Sequence, residues 1–215
     1  MAQTTTLEAA LTKQGFDVQV IANPGNAAAR AALTEFSRKA PTADFAMIVV
    51  AGHFATYRRQ SFFLPTNTRV RRATDLFSRG LSVANIADIV HRATSGALLM
   101  LTTVPDFPST GAVVGVRPDF SYAIPDHVVA VFSSSTKVPV SRVDSVSLQA
   151  MKDLIEATGE TPMTLAALVD SASAGGAGRV FGKIPELNLS VDAAKPPPEA
   201  PDAARAQALK EAERK

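Results

Sequence analysis

The sequence predicts an α/β fold, a three-layer α/β/α sandwich whose mostly parallel sheet carries helices on both faces. FAMIVVAG (45–52), ALLMLTTV (97–104) and HVVAVFSSS (127–135) are nearly uninterrupted apolar runs, the pattern of strands buried on both sides. Between them lie segments with apolar residues at three-to-four spacing, and strand–helix–strand order implies parallel strands joined by crossovers. A chain of 215 residues with 46% apolar and 20% charged content can bury one good core but is short for two full domains. One domain over 1–190 and a tail over 191–215 are expected.

The elements follow in order. Leu7, Ala10 and Leu11 share one face of a helix over 7–14, and Gly15 stands where a C-cap favours a left-handed residue. FDVQVIA (16–22) alternates Phe16, Val18 and Val20 with Asp17 and Gln19 before the breakers Asn23-Pro24-Gly25-Asn26, which predicts a strand. Ala28, Ala32, Leu33 and Phe36 place a helix over 27–39, stopped by Pro41. After strand 45–52, a helix over 81–93 (LSVANIADIVHRA) precedes strand 97–104. Helices over 147–157, ended by Gly159, and over 162–170, with Pro162 in its first turn, follow strand 127–135. Residues 174–178 (AGGAG) lack the Lys-Ser/Thr ending of a phosphate loop and read as a flexible loop. From Ala193 onward, AAKPPPEAPDAARAQALKEAERK reads as a polyproline-like linker running into a solvent-exposed helix.

Composition removes several function classes. With no cysteine, disulfides, thiolate zinc sites and thiol catalysis are excluded together. No stretch approaches the roughly 18 apolar residues of a membrane span, and MAQTTTLEAAL lacks the basic-then-apolar order of a signal peptide. His53, His91 and His127 have no metal-type spacing, so neither a metal nor another cofactor is expected. A net charge of +2 is too small to argue for nucleic acid. Between Tyr57 and Gly80, however, Arg58, Arg59, Arg69, Arg71, Arg72 and Arg79 face the single acid Asp75. That segment is either a patch for an anion or acidic partner or a solvated basic loop.

Open parallel sheets deliver functional residues at the carboxyl ends of their strands. The first long strand ends in Gly52-His53, and VVAGHF followed by FFLP (62–65) resembles the histidine region of the caspase-like peptidases, the clan of caspases, metacaspases and bacterial orthocaspases. LLMLTTVP resembles the segment in which a hydrophobic strand of that family ends in Asp-Ala-Cys; without a gap, Thr102, Thr103 and Val104 stand at those three positions. Val104 follows His53 by 51 residues, against roughly 50 between histidine and cysteine in caspase-type signatures. The resemblance extends over about residues 7–190 and implies the caspase-hemoglobinase sheet. The family begins with a central strand ahead of its first helix, whereas only MAQTTT precedes Leu7 here; the expectation is either that this strand is truncated from the sequence or that something else covers the edge it would leave.

The resemblance implies a degenerate site: Gly52 and His53 kept, Val104 in place of the nucleophilic cysteine. Valine offers no lone pair, ionisable proton or metal affinity. No intact catalytic set is expected, and the chain reads as a pseudoenzyme acting as a binding, scaffolding or regulatory module. Its partner, a protein or an acidic ligand, would meet the former cleft or the arginines from Arg58 to Arg79. Two other readings stay open. One is a hydrolase with Thr102 or Thr103 as nucleophile and His53 as base. The other is a regulatory subunit, homodimeric or paired with an active caspase-like relative. His53 also reads as a half-buried histidine making one hydrogen bond.

Overall fold

The computed structural model describes residues 2–103, 114–115, 124, 126–134, 146–158, 163–173 and 178–189. In chain order the elements are α1 (Ala2–Lys13), α2 (Asn26–Lys39), a 3-10 turn (Ala40–Thr42), β1 (Phe45–Tyr57), β2 (Gln60–Leu64), α3 (Thr74–Arg79), β3 (Leu81–Ser82) and α4 (Val83–Val90). Then come β4 (Gly96–Thr103), β5 (Val114–Gly115), β6 (Val128–Ser134), α5 (Val146–Thr158), α6 (Leu165–Ser173) and β7 (Arg179–Phe181). The three apolar runs form the centre of the sheet: β1 pairs parallel with β4, and β4 parallel with β6. The strand order is β3-β2-β1-β4-β6-β7, with β5 paired to β1.

Strand alternation divides the core into two faces. Ala46, Ile48, Ala97, Leu99, Leu101, Val128 and Ala130 pack with Ala29 of α2 and Val83, Ile86 and Val90 of α4. Leu98, Met100, Val129 and Val131 point the other way, into Leu7 and Leu11 of α1, Met151 and Ile155 of α5 and Leu165 and Leu168 of α6. Helices thus cover both faces, which explains the nearly uninterrupted apolar runs of the central strands ahead of their carboxyl ends. A smaller cluster of Ala55, Phe62, Leu64 and Leu76 seats α3 against β1 and β2. Gly15 closes α1 in the left-handed conformation at φ 85°, as the C-cap position requires.

Five expectations need correction. The sheet is mixed, because only its three central strands are parallel while β2, β3, β5 and β7 pair antiparallel. Residues 16–22 form no strand, since no described strand pairs with them. β1 continues past Gly52 to Tyr57, because β2 folds back on it and pairs from His53↔Leu64 to Tyr57↔Gln60. The helix expected over 81–93 is shorter: Leu81 and Ser82 pair with Phe63 and Phe62, and the Ser82 hydroxyl accepts from the Asn85 N–H, capping α4. The helix expected from 162 begins at Leu165, where Thr164 accepts from the Ala167 N–H as N-cap while bridging Asn188. Val104, Ser135, Gly159, Pro162, residues 174–177 and the tail 191–215 lie outside the described residues.

Candidate functional site

The carboxyl ends of the parallel strands bring two rows of three residues into register. Gly52 stands beside Thr103 and Thr103 beside Ser134, while Ala51, Thr102 and Ser133 form the row before them. Ser133 and Ser134 are absent from the sequence-based site. Only register places them there, because β6 enters the sheet some 30 residues after β4. Gly52 is required by close approach: a Cβ there would meet the Phe63 ring at 2.8 Å. His53 is half-buried with its Nδ1 inside the protein. It does not sit at a strand end but within β1, opposite Leu64 of β2.

The two threonines differ in kind. Thr102 is fully buried and its Oγ1 lies 3.0 Å from Ser133 Oγ. By alternation its side chain shares the α5/α6 face with Ala51 and His53, whereas Thr103 turns toward the face of Ile48 and Phe54 with Gly52. The residue on His53's face is therefore engaged by a serine, and the other threonine points to the opposite face. A neutral hydroxyl pair of this kind satisfies two buried polar groups.

No protein-family model and no curated protein matches the sequence. Solved structures do match. The Drosophila initiator caspase Dronc superposes with a TM-score of 0.58 at 11% identity, over 87% of this chain and 72% of that one. Caspase-1 from Spodoptera frugiperda gives 0.58 at 13% identity over 90% and 82%, and pro-sf-caspase-1 gives 0.53 at 15% over 86% and 79%. The fold is caspase-like.

In this caspase-like domain the basic segment is not one loop. Arg58 and Arg59 form the two-residue turn between β1 and β2, both with positive φ (48° and 64°). A two-residue hairpin of this hand favours Asn-Gly, which is why the sequence pattern did not reveal it. The Arg58 guanidinium lies 5.3 Å from the Tyr57 ring centre. Phe77 of α3, 53% exposed, packs edge-on against Tyr57 and Phe62. Arg69, Arg71 and Arg72 lie in the loop leading into α3, and Arg79 closes that helix, donating from Nη1 to the Arg69 carbonyl.

All six arginines are exposed. Asp75, the one acid of the segment, accepts from the Arg71 and Arg72 backbone N–H groups at 2.8 and 2.9 Å. Those two bonds, more than the nearby Arg79 and Arg72 charges, hold its carboxyl below its ordinary range. The acid thus braces the loop while the guanidinium groups stay outside.

The structure also joins two histidines that the sequence keeps apart. His91, at the C-cap of α4, has its Nδ1 2.8 Å from His127 Nε2, and the rings lie 4.4 Å apart. Their separation of 36 positions carries no local signal. Among the described residues no group of three ligand-type side chains could hold a metal ion, and no helix is long and apolar enough to cross a membrane.

Proposed function

We propose that this chain is a caspase-like pseudo-peptidase domain that works as a binding, scaffolding or regulatory module. The observation that carries the reading is the complete absence of cysteine from a chain with a caspase-like fold, whose family chemistry starts from a thiolate. Losing that group leaves the fold intact, because function resides in sites grafted onto a scaffold. Gly52 and His53 are the retained positions of the degenerate site, and Val104 occupies the nucleophile's place in the alignment. The partner is an acidic protein or ligand that meets Arg58, Arg59, Arg69, Arg71, Arg72 and Arg79. Support comes from their exposure and from Asp75 being turned inward onto the backbone.

A peptidase assay on panels of acidic and basic fluorogenic peptides, run with the His53→Ala variant beside it, tests the reading. No turnover by either protein is expected; turnover that disappears with His53→Ala would replace this reading with a hydrolase using Thr102 or Thr103. For the basic surface, Arg69→Ala/Arg71→Ala/Arg72→Ala should weaken retention on an acidic polypeptide column, with the difference fading as salt rises. Copurification with a cysteine-bearing caspase-like protein would point instead to the role of regulatory subunit.

A further inference from the structure

The basic surface contains an apolar spot that its charge does not explain. Phe77 of α3 is 53% exposed, the most exposed of the large apolar side chains among the described residues. It is nevertheless pinned, with its ring edge-on to Phe62 at 5.3 Å and to Tyr57 at 6.2 Å. Phe62 is only 4% exposed and belongs to the small cluster beneath α3, so the visible ring stands on a packed base. A side chain already fixed loses little freedom when a partner covers it, which suits an exposed aromatic to anchoring.

Charge is fixed beside this ring. Tyr57 touches Phe77 on one side and carries the Arg58 guanidinium 5.3 Å from its ring centre on another, a cation–π contact that holds the cation in place. The chain keeps Arg58 and Arg59 at φ 48° and 64°, a left-handed turn that arginine occupies at a cost Asn-Gly would not incur. Backbone conformations retained against such a cost mark side chains kept for a function. The one acid of the segment, Asp75, directs its carboxylate to the Arg71 and Arg72 backbone N–H groups, which leaves the surface around the ring predominantly cationic.

We propose that Phe77, Tyr57 and Arg58 form the docking point for an acidic segment of a partner protein that carries one apolar side chain among its carboxylates. The apolar side chain covers Phe77, and a neighbouring carboxylate accepts from the Arg58 guanidinium. The inference rests on the reading of the arginine surface as meeting an acidic partner, and adds the anchor that would give it specificity. Single-stranded nucleic acid stacks successive bases on successive aromatic faces, whereas here Arg58 already lies over the Tyr57 ring. Phe77 is left to receive one apolar group, and a net charge of +2 does not favour a long polyanion.

The test is fluorescence anisotropy on the full chain at low salt. The probes are a fluorescein-labelled peptide of Glu and Asp around one central Leu, the same peptide with Ser in place of Leu, and an oligothymidylate of equal charge. The leucine peptide should bind about tenfold tighter than the serine peptide, the gain that covering part of one leucine supplies. Phe77→Ala should bring the ratio of the two affinities to about one while leaving the serine peptide unaffected. Equal affinities in the wild-type chain, or a ratio that survives Phe77→Ala, overturn the anchor and leave the acidic-partner reading standing; binding of neither peptide sinks both. Tighter binding of the oligothymidylate assigns the patch to nucleic acid, and self-association that disappears with Phe77→Ala assigns it to a second copy; either overturns the proposal. Should that variant fail to fold, the Phe77 and Tyr57 ring resonances of the wild-type chain decide, because they should shift further with the leucine peptide than with the serine peptide, and equal shifts overturn it.

Discussion

Thr102→Val asks whether the hydroxyl beside the histidine strand is a structural group. The substitution keeps the shape of the side chain and removes Oγ1, leaving Ser133 Oγ inside the protein without the partner that lies 3.0 Å away in the native chain. Both residues are buried, so water cannot replace the lost bond. An unsatisfied buried hydroxyl costs about 1–3 kcal/mol; we take about 2 kcal/mol, equivalent to roughly 4–8 °C in melting temperature for a chain of this size. Ser133→Ala should cost a similar amount for the mirror-image reason. The double variant removes both polar groups and should be less destabilised than the sum of the two by about 1–2 kcal/mol. Urea unfolding of the four proteins, with unchanged m-values, reads this coupling directly. If the two effects simply add, the hydroxyls are not partners, and the argument that Thr102 is occupied structurally fails.

Other perturbations test other parts of the structure. Gly52→Ala drives a methyl to 2.8 Å from the buried Phe63 ring and should destabilise by about 1–3 kcal/mol, seen as a lower thermal midpoint; an unchanged midpoint would mean the ring moves aside freely. Arg58→Asn/Arg59→Gly supplies the residues that positive φ at both turn positions favours, and should raise stability by about 1 kcal/mol or more while weakening retention on an acidic polypeptide. A loss of stability would refute the turn geometry. Asp75 has a folded pKa lowered by its two backbone bonds from an ordinary 3.8, so the bracing it provides is present above 3.8 and lost as pH falls through the lower folded value. The Arg71 and Arg72 amide resonances should therefore titrate with a midpoint below 3.8, and Asp75→Asn should abolish that titration.

Much of the fold was legible because its signals are local. β4 and β6 are apolar until their last two residues, and α2 carries Leu33 and Phe36 on the stripe read from the sequence, although its buried alanine is Ala29 and not Ala28; such patterns indicate burial before any partner is known. The candidate site was legible only in part. Gly52 and His53 announce themselves after an apolar run, but the engagement of Thr102 depends on Ser133, which lies 31 positions away. The arginines stood out by count, whereas their hairpin did not, because Arg58-Arg59 is not a turn dipeptide.

The sequence by itself determined which segments are buried on two faces, on one face or on none, since periodicity and apolar content belong to the segment alone. Tertiary structure decided which extended segments become strands. FDVQVIA has the alternation of a strand yet pairs with nothing described, while QSFFL becomes β2 because the turn at Arg58-Arg59 lays it against β1. A helix satisfies its own backbone hydrogen bonds; a strand needs a neighbour, and no sequence window contains the neighbour.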